Sequence, residues 1–184
     1  RALINTTFDN NKWVKAAAAC DTAINVAQSA GFSLHHFNAP FDLGPIGDTT
    51  RKLMDIRGAV TEEWNSEQIW VFTNDNTSEL QRECAPRNDV YSYTYSLWAA
   101  NMEACEIFYT KHGVPINEDP SWDYANRYTV LKTIPDTDRA ILKPNYTTSS
   151  FNMDREYRFY ADLAFDGSSY FMQQRSSESN LLYI

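Results

Sequence analysis

Between Arg87 and Trp98 the sequence sets four aromatic rings among hydrogen-bonding side chains. In Tyr91-Ser-Tyr-Thr-Tyr every second residue is a tyrosine, so an extended chain turns the rings of Tyr91, Tyr93 and Tyr95 to one side. Trp98 follows, and Arg87, Asn88 and Asp89 come just before. Aromatic faces stack on the apolar CH patches of sugar rings, while neighbouring amide and guanidinium groups bond the hydroxyls. The candidate ligand-binding residues are therefore Arg87, Asn88, Tyr91, Tyr93, Tyr95 and Trp98, with an oligosaccharide as ligand. The competing reading makes these rings a plug for a core under a long loop.

Other chemistry is weakly represented. The sequence has no GxGxxG, GxxxxGK, HExxH or GxSxG pattern. His35 and His36 are adjacent, so in extended structure their side chains diverge, a poor geometry for zinc. Glu62-Glu63, Glu118-Asp119 and the Asp136/Asp138 pair have the composition of a glycosidase acid pair, but a chain with 24 acids produces such pairs by chance. The segment Asp75 to Glu79 is too short and lacks the glycine of a calcium loop. Neither metal nor cofactor is expected. The cysteines Cys20, Cys84 and Cys105 are odd in number and show no CxxC spacing. Cys20 and Cys105 read as small buried hydrophobes on helices.

The elements that must position these residues start with a long helix. Trp13, Ala16, Ala17, Cys20, Ile24 and Ala27 recur at helical spacing, with caps available from Asp9 to Asn11 and Gly31 at the end. A short helix is predicted over 51–57, an extended segment over 68–73, and a further helix from about 97 or 99 to 111, ended by Gly113. Residues 122–128 read as a helical turn and 135–150 as loop. Phe159, Ala161, Leu163 and Phe165 alternate with other residues before Asp166-Gly167, which predicts a small β-hairpin near 156–172. Trp13 is assigned to packing, Trp64 and Trp70 to burial beside the extended segment, and Trp122 to a loop plug.

The chain has 184 residues, 43% of them hydrophobic and 14% aromatic, which excludes disorder as the main state. A globular chain of this length buries roughly 70% of its unfolded surface. Its net charge of -8 argues against nucleic acid as a partner. The longest apolar run, 16–20, is far short of the ~20 residues needed to span a bilayer.

Four segments, in order, resemble the SusD/RagB family. Asn11-Lys-Trp-Val-Lys-Ala-Ala-Ala-Ala-Cys, running on to Ala30-Gly-Phe-Ser-Leu, is similar to its KWxKAAxAAxxAIxxA helix followed by GYSL. The stretch from Arg57 to Trp70 is similar to a segment that ends in an asparagine, a glutamate and an apolar pair. Met102 to Tyr109, then Gly113-Val-Pro-Ile-Asn-Glu-Asp-Pro-Ser-Trp-Asp-Tyr, resembles a helix and a GxPIxEDxxWDY stretch. Met153 to Gly167 resembles the NREPRFYAxIxYxG signature, with Asp154 in place of the asparagine and Tyr157 in place of the proline.

The resemblance implies a mainly α fold: a partial tetratricopeptide-type helical scaffold, a large loop-rich part and a small β-hairpin. Residues 1–37 would end the helical-repeat scaffold, and 38–184 would form the loop-rich C-terminal-type region. It further implies an outer-membrane lipoprotein, exposed at the cell surface, that binds glycans without catalysing a reaction and delivers them to a TonB-dependent, SusC-like transporter. The lipid anchor and the remaining segments of the same polypeptide would lie outside this chain. A peptide-binding member of the same uptake complex is the first alternative, and a glycoside hydrolase the second. Arg155, Glu156 and Arg158 in the signature read as structural, tying the hairpin to neighbouring loops by charge-assisted bonds. The family's ligand contacts vary, so the six binding candidates rest on the local pattern alone.

Overall fold

A computed structural model describes residues 7–38, 46–72, 76–87, 93–171 and 182–184. The first element, α1 (Asn10–Ser29), begins where the Asp9 side chain accepts the Asn11 N–H and ends before Gly31, whose φ of 93° suits the left-handed position after a helix. None of its residues is buried, and Trp13, at 65% exposure, and Cys20 both face outward. The stripe read from the sequence is present but uncovered by the described residues.

The core forms where α2 (Asp48–Thr61) crosses α5 (Tyr157–Asp162). Between them come α3 (Thr77–Cys84) and α4 (Met102–Glu106). Leu53 of α2 packs with Phe159, Tyr160 and Ala161 of α5, and with Ile116, Ile134, Leu142 and Phe151. Phe159 is the centre of this cluster. Its ring meets Phe108, Phe151 and Tyr160 edge to face at 5.8, 5.9 and 5.3 Å, the arrangement favoured by the ring quadrupoles. Arg57 of α2 donates from Nε and Nη2 to the carbonyl oxygens of Ala161 and Tyr160, two of the acceptors a helix leaves unpaired at its C-terminus.

The hairpin expected over 156–172 is not formed. Residues 157–162 are helical, and Phe159, Tyr160 and Ala161 are all buried. Only the turn survives, at Gly167 with φ 85°. Two short antiparallel pairings occur instead. Strand β1 (Leu131–Thr133) pairs with β2 (Thr147–Ser149), Lys132 opposite Thr148, and β3 (Ser169–Tyr170) pairs with β4 (Leu182–Tyr183). The regular structure is thus mainly helical with small antiparallel pairings.

Other expectations change in extent. α2 outruns its predicted 51–57 at both ends, and α4 is confined to 102–106. Asn65 explains where α2 stops: its side-chain amide donates to the carbonyl oxygens of Gly58, Ala59 and Glu62. Trp64 and Trp70 are exposed, at 81% and 92%, not buried, because residues 69–72 run over the surface. Trp122 does plug a loop: half-buried on the core, it donates from Nε1 to the Met153 carbonyl at 3.1 Å. Cys105 packs against the core, whereas Cys20 and Cys84 are exposed. Among the described residues, no helix is long and apolar enough to cross a membrane.

Candidate functional site

The aromatic segment is built on α3. A helix leaves its last carbonyls without partners, and here the following chain supplies them. The Tyr95 N–H donates to the Arg82 carbonyl at 2.8 Å, and the Leu97 N–H to the Glu83 carbonyl at 2.8 Å. Thr94 Oγ1 donates to the Pro86 carbonyl, and Ser96 Oγ accepts the Arg87 N–H at 2.9 Å while donating to the Ala85 carbonyl. Ser96 takes a left-handed φ of 51°, which turns the chain between Tyr95 and Leu97. Residues 93–98 are thereby clamped along the helix end.

Arg82 completes the clamp. Its Nη1 pairs with Glu79 one turn earlier at 2.9 Å, its Nη2 donates to the Tyr95 hydroxyl at 2.5 Å, and its Nε donates to the Tyr93 carbonyl. The Arg82 guanidinium carbon lies 5.1 Å from the Tyr95 ring centroid. The outcome is a fixed backbone carrying open rings: Tyr93 is 81% exposed, Trp98 62% and Tyr95 44%. Among the described residues these three rings plug no core. The Arg87 side chain is exposed beside them. Asn88 and Tyr91 lie outside the described residues.

Arg82 escaped the sequence reading although Glu79 and Arg82 stand at helical i,i+3 spacing, a recognisable ion-pair signal. Its contact with Tyr95 spans 13 positions and has no local signature.

A second cluster has the composition of a hydrolase triad. The buried Asp119 accepts from Thr110 Oγ1 at 2.6 Å, from Ser121 Oγ at 2.6 Å, from the Ser121 N–H at 2.9 Å, and faces His112 Nδ1 at 3.0 Å. These hydrogen bonds, those of Ser121 foremost, hold its carboxyl well below the usual carboxylate range. Ser121 Oγ also lies 3.3 Å from His112, but from the same Nδ1 atom that faces Asp119. A relay needs the acid on one ring nitrogen and the nucleophile on the other. The arrangement therefore locks the 110–121 turn and does not activate Ser121.

The signature arginine has a structural task. Arg155 is 3% exposed, and its guanidinium donates to the carbonyls of Phe151, Cys105 and Phe108 at 3.0, 2.8 and 2.9 Å. Burial pushes its pKa down to about 10, so it keeps its charge at neutral pH. Glu156 accepts the Tyr109 N–H and the guanidinium of Arg158. Arg155 and Glu156 thus tie the start of α5, in the place of the hairpin, to neighbouring loops, whereas Arg158 pairs with Glu156 two positions away. Among the described residues, no group of three His, Cys, Asp or Glu side chains is placed to hold a metal ion.

No family model matches the chain, and no curated protein matches it. Among solved structures it is similar to one designated BT4246, with 25% identity and a TM-score of 0.62, covering 100% of this chain and 32% of that one. A selenomethionine BT4246 structure gives 25% identity and a TM-score of 0.60, covering 100% and 33%. The chain thus spans about a third of the length of the solved chains it matches. A similar fold occurs there within a longer polypeptide.

Proposed function

We propose that this chain belongs to a cell-surface glycan-binding protein that hands oligosaccharides to a TonB-dependent, SusC-like transporter. The observation that carries the reading is the pinned segment 93–98, which holds Tyr93, Tyr95 and Trp98 open beside Arg87. Flat rings on a rigid backbone give stacking surface at little cost in ordering, and the adjoining guanidinium supplies donors for hydroxyls. The four ordered sequence resemblances to the SusD/RagB family supply the setting: an outer-membrane lipoprotein, anchored by lipid outside this chain. In that setting the exposed stripe of α1 is covered by a neighbouring helix of the same polypeptide, as in a tetratricopeptide-type scaffold. The reading is of binding without catalysis.

Titration of a panel of oligosaccharides into the intact protein and its Trp98→Ala variant tests the proposal. Loss of one stacking ring weakens the best ligand by about two- to tenfold. Unchanged affinity removes Trp98 from the site. Steady release of reducing ends from the panel would overturn the binding-only reading in favour of a hydrolase. Peptide binding without any glycan hit would move the ligand class to peptides.

A further inference from the structure

Away from the aromatic segment, a cleft of about 350 Å³ opens beside α5, walled by Lys111, Asp138, Asp154, Tyr157 and Tyr160. A smaller recess of about 190 Å³ adjoins it and shares Lys111 and Asp154. The larger volume falls at the lower end of ligand pockets.

Its walls are fixed. The Lys111 N–H donates to the Asp154 carbonyl at 2.8 Å, and Lys111 Nζ meets Asp154 Oδ1 at 2.7 Å. Asp154 holds a left-handed φ of 57°, an uncommon conformation for a residue other than glycine, and one that clusters at ligand sites. The Tyr160 hydroxyl is anchored, donating to the Asn152 carbonyl and accepting the Arg155 N–H. Arg155 borders the cleft as well, and its buried Nε has no hydrogen-bond partner among the described residues.

The polar lining selects a ligand class. Asp138 forms no ion pair among the described residues, and Asp154 has one oxygen left after Lys111. Carboxylate oxygens only accept, so the ligand must bring donors. Lys111 and Arg155 stand against Asp138, Asp154 and Glu156, so the lining carries one net negative charge and is unsuited to an anionic ligand. A cation site would need more oxygen ligands than these. Sugar hydroxyls both donate and accept, and Tyr157, 40% exposed with Lys52 Nζ 5.3 Å from its ring centroid, offers its other ring face as apolar surface to a sugar. We infer that this cleft binds a single neutral sugar ring through its vicinal hydroxyls, as a site separate from the aromatic segment and independent of it.

The test is an amide-resolved NMR titration of the intact protein with methyl glucoside, methyl galactoside and methyl mannoside. The same titration is run on Asp138→Asn, Tyr157→Ala and, as a control for the other surface, Trp98→Ala. At least one glycoside is expected to shift the amides of Lys111, Asp154 and Tyr157 with millimolar affinity. Asp138→Asn, an isosteric surface change, and Tyr157→Ala should each weaken it about three- to tenfold, and Trp98→Ala should leave it unchanged. Absence of shifts at these amides with all three glycosides overturns the inference. So does equal affinity in Asp138→Asn and Tyr157→Ala, or saturation of the same amides by methylammonium at lower concentration than by any glycoside. Failure here leaves the Trp98 titration untouched, and the reverse holds.

Discussion

Arg155 donates from Nη2 to the carbonyl oxygen of Cys105 at 2.8 Å, across 50 positions of sequence. The same nitrogen reaches the Phe108 carbonyl, and Nη1 reaches Phe151. One guanidinium thus gathers the end of α4, the chain after it and the 151–155 loop around the ring of Phe159, which lies 4.2 Å from its carbon. Only a planar fork with several fixed donors serves three carbonyls at once.

Arg155→Met keeps much of the volume and removes every donor. Three carbonyls lose their partner in a buried place, and hydrogen bonds from a charged donor are worth about 1.5–3 kcal/mol each before relaxation. A loss of at least about 3 kcal/mol is expected in urea unfolding. Arg155→Lys should fall between, because an ammonium on a single stem cannot span the three acceptors. Equal stability of Arg155→Met and the parent would dismiss the hub.

Gly58 sits where α2 meets the incoming 33–37 segment. A Cβ added there would lie 2.4 Å from the Nε2 of the buried His35. Alanine normally gains about 0.5–1 kcal/mol over glycine inside a helix, but overpacking costs about 1–3 kcal/mol. The clash wins here, because His35 is 8% exposed and its buried ring has little room to turn away. Gly58→Ala should destabilise by about 1–2 kcal/mol. In the double variant with His35→Ala the helix gain should reappear, so the two changes are non-additive in a double-mutant cycle.

Asp119 gives the 110–121 turn an acid-sensitive lock. Its hydrogen bonds depress its pKa in the folded state. The stabilisation is therefore complete above the unfolded value, about 3.9, and is lost as pH falls toward the lower folded value. Asp119→Asn cannot accept all four bonds and should lower stability at neutral pH. The gap between variant and parent should narrow as pH drops from about 5 to about 2, because only the parent has an unfolded state that takes up a proton at position 119 there. Denaturant titrations at several pH values measure it. A gap that stays constant with pH would place the effect elsewhere.

The start of α1 was legible because its signals are local: Asp9 caps it, Gly31 closes it, and the stripe has a period that only a helix produces. Residues 157–162 misled for the opposite reason. Phe159, Ala161, Leu163 and Phe165 share odd positions, but a six-residue helix is too short for its period to appear, and Tyr160 between them is equally buried. The pairing of β1 with β2 joins two three-residue strands of Leu, Lys, Thr and Ser, too short for an alternation to show, across a link whose Pro135 and Pro144 read as loop. At the aromatic segment, composition showed which residues could bind. That the rings stand open follows from bonds between 93–98 and 82–86, which lie outside any local window.

That clamp makes Arg82 a positioning residue for the proposed glycan surface. It touches Tyr95 through its hydroxyl and Tyr93 through its carbonyl, and α3 fixes it through Glu79. Arg82→Ala releases the ring of Tyr95 and loosens the backbone beneath Tyr93, while leaving the exposed face of Trp98 chemically intact. Affinity for the best oligosaccharide should fall about three- to tenfold, since ordering a released side chain on binding costs about 0.5–1.5 kcal/mol. Tyr95→Phe loses only the hydroxyl contact, keeps the ring and should cost less. Glu79→Gln weakens an exposed ion pair worth about 0.2–1 kcal/mol and should change binding least. Faster amide exchange at Tyr95 and Leu97 in Arg82→Ala would show that the loss comes from loosened backbone. Wild-type affinity in Arg82→Ala, with that exchange accelerated, would mean that the rings bind without being held.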